Sequence, residues 1–434
     1  MALLNRRTAS IRNNSSIAFP SLLLITYPCD LLSQFYFVSI LSDTPHLQHI
    51  SLGASITMVY ADSITDLSET WGSVAGDSTF MQEAFYRGLE AAPPSGTAFR
   101  YAIIYDDMKP AGVIYLQLKT IDLSKSLRFE NVKKLSWTKR QYTRLKQFLA
   151  KQIKYNTLVI GNMTLTGNYG HHFTAGYSQK WQTINQAADK LVDIYRKEGT
   201  KVNGILLKDF NTSEKPQQLS GYAHFQVQPN MAIKVPEHWH SFDDYIADMK
   251  SKYKVRVRRA RKKAADLHKI ELTAEQILHN KEHIAKLYTC VADGAGFNLF
   301  ELPENYFYSL KKELDDDMKL TAYYNGDTIV GFYTSIKNHG ELDAHFLGYD
   351  PDTNYRSQLY LNMLYDLVEE AVEQRCSRLV MSRTALEIKS SVGATAEPMH
   401  LYVKATNSLV NKVLPRALEY FIPAVQWQPR SPFK

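Results

Sequence analysis

Two stretches of the chain share the same succession of apolar and polar positions. The first, FRYAIIYDDMKPAGVIYLQLKT, runs from Phe99 to Thr120, and the second, MKLTAYYNGDTIVGFYTSIKN, runs from Met318 to Asn338. In each, an apolar segment enters a turn of Asp, Asn, Lys or Gly and continues into a second apolar segment that begins at a glycine. The pattern predicts two antiparallel β-hairpins.

Each predicted hairpin is followed by a helix and then a short apolar strand. In the first half this segment is INQAADKLVDIYRKEGTKVNGILLKDF, and in the second half it is LNMLYDLVEEAVEQRCSRLVMSRT. Because the same order occurs twice, we expect an internal duplication and a two-lobe α/β protein. The apolar positions that recur at helical spacing are Leu191, Ile194, Tyr195, Leu359, Met363, Leu367 and Ala371.

The duplication predicts two domains and an extension before them. We expect a first lobe over residues 58–237 and a second lobe over residues 238–434. Residues 1–57 are expected to lie outside the fold, since Met58 opens the first strand–turn–helix pattern. The apolar run Ile17–Ile25 is interrupted by proline and is too short to span a bilayer.

A cationic element joins the two predicted lobes. The range His238–Ala265 is predicted to form one long helix with Ser241 as its N-cap. Within it, KSKYKVRVRRARKK has nine basic residues in fourteen and no acidic residue. The whole chain has a net charge of 51 − 44 = +7, so without this element it would be 7 − 9 = −2.

The basic residues therefore form one face of a nearly neutral protein. Such a face either is merely solvated or binds phosphates or another anionic partner. The four arginines that we assign to an anionic partner are Arg256, Arg258, Arg259 and Arg261.

Several function classes lack their characteristic motif. The chain has no GxSxG nucleophile elbow, no Walker phosphate loop and no GxGxxG dinucleotide fingerprint. Its three cysteines lack metal-ligand spacing, which indicates a reducing compartment and no structural zinc. A mean hydropathy of −0.31 is too polar for a polytopic membrane protein.

One segment that follows the last predicted strand carries candidate chemistry. It reads SRTALEIKSSVGA, from Ser382 to Ala394. Arg383, at the strand end, is suited to holding a carboxylate or phosphate, and Lys389 to stabilising an oxyanion or binding a phosphate. On spacing alone, the favoured interpretation is a capped helix with a solvated lysine and a glycine after its end.

The second half resembles the Gcn5-related N-acyltransferase superfamily, and the tandem arrangement resembles the bacterial Fem-type peptidoglycan aminoacyltransferases. The resemblance covers about residues 240–394, and the duplicated hairpin extends it to about residue 100. The stretches that carry it are SFDDYIADMKSKYKVRVRRARKK, DTIVGFYTSIKN, HFLGYDPDTNYRSQLYLNMLYDLVEEAVEQ and RTALEIKSSVGA.

The resemblance implies a fold and a reaction. The fold is α/β, with two tandem acyl-CoA N-acyltransferase-like lobes whose mixed central sheets are flanked by helices. An acyl donor would lie between splayed central strands of the second lobe, and an acceptor amine would enter from the cleft between lobes. The amine would attack a thioester or ester directly, and the acceptor would be a cell-envelope precursor or an amino-lipid.

The resemblance also implies roles for individual residues. Lys389 of LEIKSSVG matches the Fem-type Lys-x-x-x-Gly pattern and would stabilise the oxyanion, together with a backbone amide near His345–Leu347. Either Asp343 or His345 would be the base. The candidates for protonating a leaving thiolate are Tyr349, Tyr355 and Tyr360.

The donor-binding loop departs from the acetyl-CoA pattern. The place of the usual glycine-rich loop reads NYRSQLYLN, which contains no glycine. The co-substrate is therefore left open among acyl-CoA, acyl carrier protein and aminoacyl-tRNA, and we expect no permanently bound cofactor and no metal. The residues that we assign to the donor are Arg356, Arg383, Tyr355 and Asn362.

The predicted location is the cytoplasm or the inner face of the membrane. The basic helix would contact an anionic membrane surface, an acidic carrier protein or tRNA phosphates. Two rival functions remain: a nucleic-acid-binding protein that uses the basic helix 250–263, and an acyltransferase fold that serves as a non-catalytic binding module.

Overall fold

The computed structural model describes residues 47–122, 154–211, 219–294, 300–421 and 427–434. They belong to one compact unit, His46–Lys434. Most of the predicted N-terminal extension, up to residue 46, lies outside the described residues. Every helix in the described ranges is too short or too polar to span a lipid bilayer.

The strands alternate apolar and polar positions or are apolar throughout, and fourteen of them lie in the described ranges. They are β1 Gln48–Ser51, β2 Ile56–Ala61, β3 Thr97–Asp106, β4 Lys109–Asp122, β5 Lys154–Ile160, β6 His171–Phe173, β7 Gly204–Phe210, β8 Ala223–Lys234, β9 His268–Glu271, β10 Met318–Asn325, β11 Thr328–Asn338, β12 Glu341–Tyr349, β13 Arg378–Val380 and β14 Thr395–Ala405.

The helices of the described ranges cover the sheet that these strands form. They are α1 Ser68–Val74, α2 Glu83–Ala91, α3 Lys180–Lys197, α4 Phe242–Asp248, α5 Ser251–Lys263, α6 Ala274–His279, α7 Lys281–Gly294, α8 Tyr306–Leu314, α9 Pro351–Ser357, α10 Leu359–Glu373, α11 Leu386–Ser391 and α12 Ser408–Phe421.

The two halves of the chain repeat one arrangement of strands and helices. In the first half, β2 to β5 are antiparallel neighbours, and α3 then leads to β7, which is parallel to β5. In the second half, β9 to β12 are antiparallel neighbours, and α10 leads to β13, which is parallel to β12. The predicted hairpins and the predicted α/β class, with two similar halves and mixed sheets flanked by helices, are confirmed.

The halves are joined by an exchange of their last strands. The sheet runs in the order β1-β2-β3-β4-β5-β7-β14-β8-β13-β12-β11-β10-β9, with β6 paired to β4. Thus β14 of the second half lies beside β7 of the first, and β8 of the first lies beside β13 of the second. This exchange fixes the ends of β7 and β13 relative to each other.

The halves also share a hydrophobic core. Trp71 and Phe85 of the first half belong to the same buried cluster as Tyr306 and Phe332 of the second. Helix α2 packs on α8, and Gly88 allows this contact, since a Cβ there would lie 2.8 Å from the Leu310 side chain. Removing these surfaces from water stabilises the pairing of the halves.

Two boundaries predicted from the sequence differ in the structure, and the first is the start of the fold. Strand β1 pairs with β2, and Leu52 and Ile56 are buried, so residues 47–57 belong to the fold and not to an extension outside it. Burial of two apolar side chains and the pairing of β1 with the β2 edge account for this difference.

The predicted single helix His238–Ala265 is two helices, α4 and α5. Ser241 caps α4 as expected, and Asp244 completes the capping box. Met249 then adopts an extended conformation, is fully buried and forms a β-bridge with Phe433. The helix breaks there because the backbone of residues 249–250 pairs with the C-terminal segment, a contact that helical periodicity does not reveal.

Candidate functional site

The central strands of the second half separate from each other and leave a cavity. β12 and β13 pair only over Glu341–Asp343 and Arg378–Val380, after which β12 continues to Tyr349 while β13 ends. The gap opens into a cavity of about 420 Å³, lined by β11, β12, α7, α10 and α11; we call it the splay cavity. The carboxyl ends of strands in an open α/β sheet are where ligands usually bind.

Lys389 lies on α11 and lines the splay cavity. Its buried ammonium donates hydrogen bonds to the carbonyl oxygens of Met381 at 2.6 Å, Arg383 at 2.6 Å and Ser382 at 3.4 Å. Burial lowers the pKa of Lys389 to about 7. The N–H groups of the ammonium therefore all bond to the segment that follows β13.

That segment is conformationally strained. Ser382, Thr384 and Ala385 have φ angles of 60°, 69° and 47°, in the left-handed region that favours glycine. Each such residue costs roughly 1 kcal/mol or more. The hydrogen bonds from Lys389 help to hold this conformation, so the lysine positions Arg383 in addition to any role towards a ligand.

His345 also lines the splay cavity, on β12. Its Nε2 lies 2.9 Å from the hydroxyl of Tyr306, and burial lowers the pKa of the imidazole to about 3. The ring is therefore neutral at physiological pH.

The neighbouring backbone of β12 contains a β-bulge. Ala344 pairs with Ser335 and Leu347 pairs with Tyr333, so His345 and Phe346 together lie opposite Thr334. The Thr334 hydroxyl accepts from the Phe346 amide at 2.9 Å and donates to its carbonyl at 3.0 Å. Of the amides predicted near His345–Leu347 to bind an oxyanion, that of Phe346 is therefore already bonded.

Asp343 is buried where β12 and β13 still pair, and it does not line the splay cavity. Burial and the charge of Glu341 raise the pKa of this carboxyl well above its usual range. Asp343 lies opposite Val380, before the point where β12 and β13 separate, whereas His345 lies beyond it. The structure therefore brings His345, and not Asp343, to the cavity.

The predicted tyrosines divide between the cavity and the surface. Tyr349 and Tyr360 line the splay cavity with ring centroids 6.0 Å apart, and burial raises the pKa of both phenols. Tyr355, on α9, is 85 % exposed, and its neighbour Arg356 is also exposed and lines no part of the cavity. These two residues are not part of the arrangement around Lys389.

Asn362 is buried and serves as a connector. Its side-chain amide donates to the carbonyls of Ala260 at 3.0 Å and Gln358 at 3.1 Å. These bonds fasten α5 to the start of α10, so the amide donors of Asn362 are used within the protein.

Arg383 lies at the inner end of the splay cavity and forms an ion pair with Asp209 of the first half. Burial lowers the pKa of Arg383 to about 10. Asp209 also pairs with Lys208, whose ammonium donates to the Leu165 carbonyl at 2.6 Å. Sequence reasoning missed Lys208 and Asp209, although their place at the end of strand β7 is the signal that could have found them.

A second, larger cavity lies between the halves. It has a volume of about 1100 Å³ and is lined by Asp209, Glu341, Arg378 and Glu397, among others; we call it the cleft cavity. Arg378 donates to Glu341 at 2.7 Å and also pairs with Glu397. Thr166 lines both cavities, so the two adjoin at Thr166 and the Arg383–Asp209 pair.

The basic residues of α5 fall into three environments. Tyr253, Val257 and Ala260 bury one side of the helix. Arg258 and Arg259 are exposed and have no carboxylate partner among the described residues, whereas Arg261 pairs with Asp366 at 2.6 Å and Glu369 at 3.4 Å. Arg261 is thus used within the fold, in contrast to the role predicted for it.

The third environment on α5 is that of Arg256. It is half-buried and lines a hollow together with Lys252 and Arg430.

The sequence and the fold were compared with known proteins. Residues 251–390 match the family described as acetyltransferase (GNAT) domain. No curated protein matches the chain by sequence.

Several solved structures resemble the fold. The chain is similar to FemX, with 11 % identity, 85 % of this chain and 99 % of that chain covered, and a TM-score of 0.49. It is similar to a tandem GNAT protein from the clavulanic acid biosynthesis pathway, with 9 % identity, coverage of 81 % and 99 %, and a TM-score of 0.47. It is also similar to L-PGS from Bacillus licheniformis, with 10 % identity, coverage of 78 % and 96 %, and a TM-score of 0.41.

The match to the acetyltransferase (GNAT) family covers the central part of the second half, residues 251–390. The matched range contains the splayed strands, Lys389 and most of the residues that line the splay cavity. Residues 251–390 are therefore an acetyltransferase (GNAT) domain, and the chain is an acyltransferase.

Proposed function

We propose that the chain transfers an acyl or aminoacyl group from a thioester or ester donor to the amine of a cell-envelope precursor or an amino-lipid. The observation that carries the proposal is the boundary between the two cavities, formed by Thr166, Arg383 and Asp209. A donor in the splay cavity and an acceptor in the cleft cavity would meet there. Direct transfer needs above all that the two reactants be held together in the correct orientation.

Lys389 is proposed to stabilise the oxyanion that forms when the amine attacks the carbonyl. Its hydrogen bond to the Ser382 carbonyl, at 3.4 Å, is the weakest of its three. An oxyanion that took the place of this carbonyl would gain a charge-assisted hydrogen bond in a water-poor site. The other two bonds would keep the ammonium in position.

A tyrosine hydroxyl is proposed to protonate the leaving group. Tyr349 and Tyr360 lie in the splay cavity, and their raised pKa values keep them protonated at neutral pH. The neutral His345, bonded to Tyr306, is proposed to orient the donor by a hydrogen bond, since its pKa of about 3 makes it a poor proton acceptor.

The cleft cavity is proposed to receive the acceptor. It contains the carboxylates of Asp209, Glu341 and Glu397, and the guanidinium of Arg378 joins two of them. Carboxylates in this cavity favour a cationic amine, and one of the two glutamates is proposed to accept the proton that the amine loses before it attacks.

A polyanion-binding role of helix α5 is a second candidate function, favoured by the unpaired cations Arg258 and Arg259. In this proposal the helix contacts an anionic membrane surface, an acidic carrier protein or tRNA phosphates, and the chain works in the cytoplasm or at the inner face of the membrane.

The test is a donor screen on the full chain. Thermal shifts are measured with CoA, acetyl-CoA, palmitoyl-CoA, acylated carrier protein and charged tRNA at low and moderate salt, and amine products are then sought by mass spectrometry. We expect one donor class to stabilise the protein and to give product, and Lys389→Ala to remove the product while Lys312→Ala, on exposed α8 surface, does not.

Two outcomes oppose the proposal. If Lys389→Ala and Arg383→Ala both leave turnover unchanged, the site is elsewhere. If every polyanion stabilises the protein, regardless of Lys389, and salt removes the effect, the chain binds anions through α5 and the enzymatic proposal is withdrawn.

A further inference from the structure

A cationic hollow lies next to the splay cavity but is separate from it. It has a volume of about 390 Å³ and lies between α5, α11 and the C-terminal segment. The residues that line it are Lys252, Tyr253, Arg256, Glu387, Ile388 and Arg430. Two of its cations come from α5 and the third comes from the chain end, so the hollow exists only in the folded protein.

The C-terminal segment is fixed in place by several contacts. The Lys250 amide donates to the Pro432 carbonyl at 2.8 Å, and Phe433 forms the β-bridge with Met249. The Arg430 amide donates to the Ser390 hydroxyl at 2.9 Å. This hydrogen bond fixes the backbone of Arg430 and so keeps its guanidinium at the hollow.

The hollow carries an excess of positive charge. Among the described residues that line it, Glu387 is the single carboxylate, and it pairs with Arg430 at 3.3 Å. Within the described ranges, Lys252 and Arg256 have no carboxylate partner. Two uncompensated cations that face one concave space favour a doubly charged anion.

The hollow and the splay cavity lie on opposite sides of one short helix. Helix α11 presents Lys389 to the splay cavity and Glu387 and Ile388 to the hollow. An α-helix with its side chains is roughly 10 Å across. A phosphate in the hollow is therefore within the reach of an extended molecule whose carbonyl lies beside Lys389.

We propose that this hollow binds a phosphate group, as a phosphomonoester or diphosphate, of the acyl donor. The inference rests on the proposed function for the identity of the molecule that carries the phosphate, but not for the binding of the anion. Its cations are Lys252, Arg256 and Arg430, whereas Arg258 and Arg259 on the same helix do not line it.

The test uses inorganic pyrophosphate as the probe and the full chain at low and moderate salt. Calorimetric titration compares the wild type with Arg256→Gln and Arg430→Gln, and with Arg258→Gln and Arg259→Gln as controls of equal charge. We expect the first two variants to weaken pyrophosphate binding by about tenfold or more, as for loss of a charge-assisted hydrogen bond, and the controls by less than about threefold. Far-UV circular dichroism verifies that each variant is folded.

Further arms identify the source of the phosphate. Coenzyme A and vesicles that contain phosphatidic acid, a phosphomonoester, are titrated in parallel, and the arm that shows the same dependence on Arg256 and Arg430 names the source. Absence of pyrophosphate binding, or equal weakening by all four variants, overturns the proposal, since the latter indicates only the general field of α5.

The outcome is distinguishable from that of the transfer proposal. Lys389→Ala is expected to abolish transfer while pyrophosphate affinity stays unchanged. Arg256→Gln is expected to raise the KM for the donor by about tenfold with kcat retained, the signature of lost binding that is equal in ground and transition states.

Discussion

Arg383, at the end of β13, forms an ion pair with Asp209, at the end of β7, and this pair joins the two halves of the chain at the boundary of the two cavities. The carboxylate of Asp209 is fully buried, and it also pairs with its neighbour Lys208. One buried anion therefore compensates the buried Lys208 and the partly buried Arg383. The pairing depends on the strand exchange, because β14 and β8 set the spacing of β7 and β13.

Replacing Asp209 by Asn is expected to destabilise the protein strongly. The variant leaves Lys208 and Arg383 close together without a counter-charge, and removal of one partner of a buried pair costs about 3–5 kcal/mol. Urea denaturation followed by fluorescence measures the free energy of unfolding. The matched control is Asp189→Asn, which removes the more exposed pair with Lys404 at 2.8 Å and is expected to cost about 0–1 kcal/mol. If the two variants lost the same free energy of unfolding, the buried pair would contribute no more to stability than the exposed pair.

The transfer rate is expected to fall as the pH rises through about 7. Burial lowers the pKa of Lys389 to about 7, so that its ammonium, and with it the stabilisation of the oxyanion, is lost above that pH. In Lys389→Arg the charge persists, since a guanidinium stays protonated, and the falling limb of kcat against pH is expected to disappear. The profile is measured with the donor and acceptor that the screen identifies. An unchanged falling limb in the arginine variant would mean that another group titrates.

The same shift predicts a pH dependence of stability. The folded-state pKa of Lys389 lies below its ordinary value of 10.5, so the unfolded chain binds more protons between pH 7 and 10.5. Stability therefore rises with pH across this window, by up to about 1.4 kcal/mol per pH unit from this group. Lys389→Met is expected to lack this contribution. Urea unfolding of both proteins at pH 7, 8 and 9 gives the difference, and parallel curves would contradict the prediction.

Acid is expected to destabilise the protein through His345. Burial lowers the pKa of this imidazole from 6.5 to about 3, so the unfolded chain binds a proton below pH 6.5 that the folded chain does not bind until about pH 3. Stability is therefore lost as the pH falls through this window. His345→Asn is expected to lose about 1 kcal/mol less per pH unit than the wild type. Unfolding at pH 6.5, 5.5 and 4.5 tests this, and identical slopes would assign the acid sensitivity to other groups.

Replacing Gly348 by Ala is expected to disturb the splay cavity. A Cβ there would lie 2.5 Å from the backbone of Leu287 and of Tyr288, so α7 would have to move away from β12. Such overpacking costs about 1–3 kcal/mol, and it would also weaken donor binding because α7 lines the cavity. The control is Gly72→Ala in α1, where nothing lies within 4 Å and the change is expected to be neutral or stabilising. Thermal unfolding of the two variants makes the comparison.

Local sequence patterns were sufficient to predict the hairpins and the crossover helices of the fold. The alternation around the turns at Asp107 and Gly326 gave both hairpins, and the apolar spacing in α3 and α10 gave both crossover helices. These features depend on residues close together in sequence, whose burial sets the periodicity. The break at Met249 and the strand β1 were not found, because each depends on pairing with a distant segment or on an edge of the sheet.

In the candidate site, too, the sequence predicted some features and the tertiary structure decided others. The sequence by itself determined that Lys389, His345, Tyr349 and Arg383 follow or lie on the central strands of the second half, and the structure brings all four to one cavity. Only the tertiary structure decided that Asp343 lies where β12 and β13 still pair, that Asn362 and Arg261 are used within the fold, and that Asp209 faces Arg383. The physical reason is that the periodicity of apolar positions predicts the face of a strand or helix on which a side chain lies. The residue that this side chain contacts depends on which strands the folded sheet places side by side.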